Sequence, residues 1–102
     1  MIRHIVAFKL KDYPTKEEKM RAVETVRAEL LTLPLKISVI KSFEIGIDII
    51  QGPASYDLVI NSTFDSLEDL EIYRVHTDHA AFIEFNKNYS ANRVMVDYEF
   101  TN

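Results

Sequence analysis

Hydrophobic side chains at the start of the chain alternate with polar or smaller ones, which is the period of a β-strand. The alternating positions are Ile2, His4, Val6, Phe8 and Leu10. The same alternation predicts three further strands, over residues 39–47, over about residues 55–64 and over about residues 93–100. A turn at Gly52-Pro53 separates the second strand from the third.

Hydrophobic residues after the first strand recur at helical spacing instead. Thr15 and Glu18 form a capping-box pattern, which is typical of a helix start. They precede a stripe of Met20, Val23, Val26, Leu30 and Leu33. This pattern predicts a helix over about residues 15–32. It is expected to end before Leu33-Pro34, because proline disfavours helical geometry in the residue before it.

A second helical region is predicted over residues 66–88, where Ser66 begins the pattern. It breaks near His76, so two consecutive helical pieces are expected. Thr77 or Asp78 is the predicted cap of the second piece. One stripe of that piece carries His79, Phe82, Ile83 and Asn86.

The order of elements is strand, helix, strand, strand, helix, strand. This order predicts a ferredoxin-like α+β fold for one domain over residues 1–102, with one antiparallel four-stranded sheet and its helices on one face. The opposite sheet face is then uncovered. Its predicted apolar residues near the strand centres are Ile5, Ala7, Ile40, Val59 and Met95. Such a surface usually meets a partner, so we predict a homodimer with the sheets face to face. The alternative is a monomer whose open face is polar enough for water.

Composition and charge exclude several classes of function. The chain of 102 residues has no cysteine, which excludes a disulfide scaffold, a cysteine nucleophile and a cysteine-based zinc site. The net charge of −4 works against binding of nucleic acid. No apolar run reaches the ~20 residues that a membrane span needs, and no signal-peptide pattern is present. A cytoplasmic protein that binds neither nucleic acid nor membrane is expected.

Charge is distributed unevenly along the chain. Residues 1–41 carry nine basic and five acidic side chains, whereas residues 42–102 carry three and eleven. This asymmetry is compatible with self-association, although a solvated surface is the more common explanation of such a charge distribution.

Three residues stand out as candidates for chemistry. His4 lies on the apolar face of the first strand, where an unpaired imidazole would be costly to bury, so it needs a partner. His79 shares a helical stripe with apolar residues, and Tyr73 lies upstream. If the helices cover that sheet face, the three side chains could meet in one cavity and carry out acid–base chemistry. The competing interpretation is that each histidine is a structural residue bonded to a backbone carbonyl.

Other polar residues point less clearly to a site. His76 and His79 are three residues apart, but no third ligand is evident, so no metal is predicted. No cofactor-binding motif is present. The strand carboxylates are interpreted as solvated, or as paired with Arg93; they are Asp57, Asp97 and Glu99.

Three segments resemble the stress-responsive α/β-barrel (Dabb) family. They are residues 2–10 (IRHIVAFKL), residues 56–59 (YDLV) and residues 73–79 (YRVHTDH). The resemblance covers nearly the whole chain and implies a dimeric α+β barrel. Through the family's plant polyketide cyclase, it implies His4, Tyr73 and His79 as catalytic residues. Some members of the family hold a cation through backbone carbonyls near the loop after the first helix, which here is the region of residues 33–37, where the side chains give no independent support for such a site. The family usually has proline where this chain has Thr77, which could change the shape of the pocket.

Two classes of function follow. In the first, the protein binds a small apolar or carbonyl-containing ligand. It catalyses a polyketide-cyclase-like lyase reaction by acid–base chemistry of histidine and tyrosine, with no cofactor. The alternative is a non-catalytic stress-related structural or ligand-binding dimer. A cofactor-free monooxygenase, as in a related barrel family, is a further alternative.

Overall fold

Four antiparallel strands form one sheet in the computed structural model, which describes residues 1–101. The strands are β1 (Ile2–Leu10), β2 (Ser42–Ile47), β3 (Leu58–Phe64) and β4 (Ser90–Glu99). They lie in the order β2-β3-β1-β4, so β1 and β3 are central and β4 is an edge strand. The predicted ferredoxin-like α+β fold is confirmed.

The helices cover one face of this sheet. They are α1 (Lys16–Leu30), α2 (Leu33–Lys36), α3 (Leu67–Val75) and α4 (Thr77–Asn86). Both predicted helix starts are present, because the hydroxyls of Thr15 and Ser66 each accept a hydrogen bond from a backbone N–H three residues later. None of the helices in this part of the chain has the length and apolar character to cross a bilayer.

The structure corrects several predicted boundaries. The segment after α1 is not a plain connection but the short helix α2, whose first turn accommodates Pro34 because those backbone N–H groups need no helical partner. The predicted cap of α4 was wrong. His76, and not Thr77 or Asp78, is the cap, since its Nδ1 accepts a hydrogen bond from the Asp78 N–H at 3.1 Å. Strands β2 and β3 also begin three residues later than predicted.

The core lies between the sheet and the helices. Alternate residues of β1 and β3 face the helices, as the period-two pattern predicted. Helix α1 contributes Ala22, Val23, Val26 and Leu30 to this layer. The buried apolar residues of the two central strands are Ile2, Val6, Phe8, Leu10, Leu58, Ile60 and Phe64.

The opposite sheet face is open and partly apolar. On it Ile5 lies opposite Val96, and Ala7 lies opposite Val94. Val94 and Val96 are 52% and 62% exposed, so the outer strand β4 presents bare aliphatic surface. Two residues assigned to this face from the pattern are not on it. Met95 pairs with Val6 and so shares its helix-facing side, and Ile40 precedes β2.

Asp57 is a structural residue and not the solvated carboxylate that the sequence suggested. It is 2% exposed, and its side chain accepts a hydrogen bond from the Leu10 N–H at 2.7 Å. Lys19 of α1 places Nζ 2.7 Å from the other carboxylate oxygen. This ion pair ties α1 to the end of the sheet.

We expect Asp57→Ala to lower the free energy of unfolding by about 3 kcal/mol, because it leaves a partly buried lysine and a buried N–H without their acceptor. The matched control is Asp65→Ala. Asp65 pairs with Lys41 at 3.2 Å, but both side chains are about half exposed, so the loss should stay below about 1 kcal/mol. Urea unfolding followed by circular dichroism measures both values. Equal losses would contradict the structural role of Asp57.

Candidate functional site

A cavity of about 420 Å³ lies between the sheet and the pair of helices α3 and α4. Its floor is apolar and combines strand and helix side chains. These residues are Val6, Phe8, Ile60, Phe82, Ile83 and Met95. Polar residues line the rest, including all three candidates from the sequence, His4, Tyr73 and His79. The volume and the mixed lining are typical of a site for a small organic molecule.

Tyr73 occupies the centre of the three candidates. Its ring centroid lies 4.5 Å from that of His79 and 5.9 Å from that of His4. The residue is 1% exposed, and burial raises the pKa of its phenol to about 12. No hydrogen bond within the described residues uses its hydroxyl. Tyr73 therefore stays protonated at neutral pH and keeps an O–H donor for a ligand in the cavity.

His4 has the partner that its burial requires, and this partner is Asp97. The register of β1 and β4 places the two residues directly opposite each other, on the helix-facing side of the sheet. His4 Nδ1 donates to a carboxylate oxygen of Asp97. This bond occupies Nδ1, so Nε2 is the nitrogen left for a ligand. Asp97 therefore pairs with His4 and not with Arg93, while its side chain is still 35% exposed at the sheet edge.

His79 is held by the break between α3 and α4. Its Nδ1 donates to the backbone carbonyl of Arg74 at 3.0 Å, which leaves Nε2 as the basic nitrogen. Burial lowers the pKa of His79. Nearby His4, Arg93 and Arg74 lower this pKa further, against the opposing effect of the carbonyl bond. The ring is therefore neutral and able to accept a proton at pH 7.

The three groups differ in what they offer to a ligand. Tyr73 supplies a protonated hydroxyl, and His79 supplies an unprotonated nitrogen. A carbonyl oxygen near the hydroxyl would receive a hydrogen bond, while a proton on the adjacent carbon could transfer to the imidazole. Such a pairing of a donor and a base is the minimum that enolisation requires.

His76 takes no part in this arrangement. It is the cap of α4 and is not among the residues that line the cavity. Within residues 1–101, no group of three or more histidine, aspartate or glutamate side chains is placed to hold a metal ion.

The sequence reasoning missed three residues of the site. Asp97 orients His4, while Asn86 and Arg93 line the cavity. Asp97 and Arg93 belong to β4, and they face the cavity only because of how β4 pairs with β1. Asn86 could have been found, since it continues the helical stripe of His79.

Known proteins resemble this chain along nearly its whole length. A protein of unknown function from Streptomyces coelicolor is 35% identical over 102 residues, which cover 98% of this chain and all of that protein. The crystal structure of a dimeric ferredoxin-like protein of unknown function from Bacteroides fragilis is 35% identical, with a TM-score of 0.82, and the match covers 97% of this chain and 95% of that one.

A dimeric ferredoxin-like protein of unknown function from Thermobifida fusca is 29% identical, with a TM-score of 0.80, and the match covers 97% of this chain and 90% of that one. These likenesses agree with the fold described above. A model of the Stress responsive A/B Barrel Domain matches residues 2–100. The chain therefore belongs to the stress-responsive α/β-barrel (Dabb) family.

Proposed function

We propose that this protein binds a small carbonyl compound with an apolar body and catalyses proton transfer at the carbon next to the carbonyl, as a polyketide-cyclase-like lyase does. One observation carries the proposal. The Tyr73 hydroxyl and His79 Nε2 have no hydrogen-bond partner within the described residues, and both side chains line the cavity. A hydroxyl donor and a basic nitrogen that are both free on the wall of one cavity are available to a ligand, and perturbed pKa values in such a cavity are typical of functional sites.

The roles follow from the protonation states. His79 is the general base that removes the proton, since its pKa is lowered and its Nδ1 is held by the Arg74 carbonyl. Tyr73 donates a hydrogen bond to the carbonyl oxygen, on which negative charge develops as the enolate forms. His4 is oriented by Asp97, and its Nε2 positions the carbonyl oxygen or a hydroxyl group of the substrate.

The second candidate is a non-catalytic ligand-binding or structural dimer. The observation that favours it is that each of the three histidines makes a hydrogen bond within the fold. His4 bonds to Asp97, His76 caps α4, and His79 bonds to the end of α3. If the protein is non-catalytic, replacing His4 or His79 would lower its melting temperature and have no other effect.

We further propose that two copies associate through their open sheet faces. The strand β4 carries Val94, Val96 and Tyr98 toward this face, and each is about half exposed or more. Exposed aliphatic surface at a sheet edge is normally covered. Support comes from the Bacteroides fragilis relative, which is described as dimeric.

Exchange of hydrogen for deuterium on a simple ketone tests the reaction without knowledge of the natural substrate. We expect the protein to accelerate exchange at the α-carbons of 4-phenylbutan-2-one in D₂O, followed by proton NMR. His79→Ala should reduce this acceleration by about 10²-fold or more, because the general base is removed. Tyr73→Phe should reduce it by a similar factor through loss of the donor.

The control for these variants is His76→Asn, which removes an imidazole outside the cavity and keeps a side chain suited to capping α4. Its exchange rate should equal that of the unchanged protein. If no acceleration over free imidazole is seen, or if His79→Ala changes only the melting temperature, the non-catalytic function is the correct one.

The exchange rate should also depend on pH in a defined direction. Because burial lowers the pKa of His79 below 6.5, the rate should decline as pH falls and the base becomes protonated, with the midpoint of the decline below pH 6.5. Tyr73, with its pKa of about 12, should add no step in this range. An NMR titration of the His79 ring gives the same pKa independently. A midpoint above 6.5 in either measurement would contradict the assignment.

Dimer formation can be tested at Val96, which lies near the middle of β4 on the open face and is 62% exposed. We expect Val96→Lys to convert a dimer to a monomer in sedimentation velocity runs, because a charge would be buried between the sheets. Leu35→Lys on α2 is the matched control, since Leu35 is 87% exposed but lies away from the sheet. A dimer that persists in Val96→Lys would place the interface elsewhere.

A further inference from the structure

Basic side chains are concentrated at the cavity. Residues 42–102 contain three basic side chains, Arg74, Lys87 and Arg93, against eleven acidic ones. All three basic residues line the cavity, whereas Glu71 is the single acidic residue of its lining. The cavity is thus a positive region within a strongly acidic half of the chain. Such a local reversal of charge attracts an anion.

The three cations are not equivalent. Arg74 pairs with Glu71 at 3.3 Å, and Lys87 pairs with Glu84 at 2.8 Å. Arg93 has no acidic partner within residues 1–101. It extends from β4 opposite Phe8, on the side of the sheet that faces the cavity. Its guanidinium therefore retains its full capacity to bind an anion.

A buried amide lies on the same cavity. Asn86 is 6% exposed, and its carbonyl oxygen accepts a hydrogen bond from the Ser90 hydroxyl at 2.8 Å. No hydrogen bond within the described residues uses its amide nitrogen, which is left as a donor. Because Asn86 lines the cavity, this N–H group can donate to a ligand bound there.

The strand register separates Arg93 from His4 along the sheet. Arg93 is opposite Phe8, whereas Asp97 is opposite His4, so the two levels are four residues or ~13 Å apart along the sheet. Met95 and Val6 form an apolar stretch between them. A ligand that reaches both ends needs a polar group at each and an apolar middle.

We propose that the cavity binds an organic carboxylate of medium chain length, with the carboxylate on Arg93 and Asn86 and the apolar body over Met95 and Val6. This proposal depends on the proposed function in one respect only: it places the reacting carbonyl at the end of the cavity beside His4 and Tyr73. A single unpaired guanidinium matches one negative charge, and its planar fork fits the two oxygens of a carboxylate.

Isothermal titration calorimetry at low ionic strength tests the charge preference with octanoate and its neutral counterpart octanamide. We expect octanoate to bind about tenfold more tightly, as for hydrogen bonds to a charged group. Arg93→Gln should abolish this preference, and Arg93→Lys should retain part of it. Lys36→Gln, which removes a cation outside the cavity, should leave the preference unchanged.

The charge preference is measured by binding and not by turnover, so this proposal can stand if the catalytic one fails. Equal affinities for octanoate and octanamide, absence of octanoate binding, or a preference that survives Arg93→Gln would each overturn it. Tighter binding of octyl phosphate than of octanoate would overturn the assignment to a carboxylate. Circular dichroism confirms that the Arg93 variants are folded.

Discussion

The central strand β1 pairs with β3 on one side and with β4 on the other, and the register of these pairs decides where the strand residues of the site lie. It puts His4 beside Asp97 and Phe8 beside Arg93. Side chains in a strand alternate between faces, so a shift of one residue would move His4 to the open face and expose the core positions. The large apolar side chains of β1 oppose such a shift, because they are buried only in the observed register.

The same architecture explains why a cavity exists. A chain of 102 residues forms one sheet and one helical layer, and the helices do not fully cover the edge strand β4. Its residues after Ser90 are exposed on both faces, whereas β1 and β3 are largely buried. The helix-facing side of β4 is thus free to line a cavity, and its other side is free to meet a second copy. A small domain buries a limited share of its surface, so association would add the burial that one chain lacks.

The hydrogen bonds that stabilise the site also decide which ring nitrogen of each histidine is available to a ligand. His4 and His79 each use Nδ1 in a bond within the fold, and each is left with Nε2 for a ligand. Burial then acts in opposite directions on the two neighbouring groups. It raises the pKa of Tyr73 and lowers that of His79, because in both cases it disfavours the charged form. A protonated donor and an unprotonated base therefore coexist at neutral pH. Two groups of the same type in one environment would instead share the same protonation state.

Sequence periodicity determined the four strands, the longer helices, the fold class and the helix-facing residues of β1, since local patterns of burial decide those features, but it did not reveal the short helix α2. It also identified His4, Tyr73 and His79 as candidates. The apolar stripes of the first strand and of the later helical region, together with the order of the elements, place all three between the sheet and the helices. It could not find the partner of His4 or the side of the sheet on which Met95 lies. Those depend on the pairing of β1 with β4, two segments separated by almost the full length of the chain. Charge counts showed that the later part of the chain is acidic. That its few cations lie around one cavity was decided by tertiary structure, because strand pairing and the packing of α3 and α4 bring distant residues to the same surface.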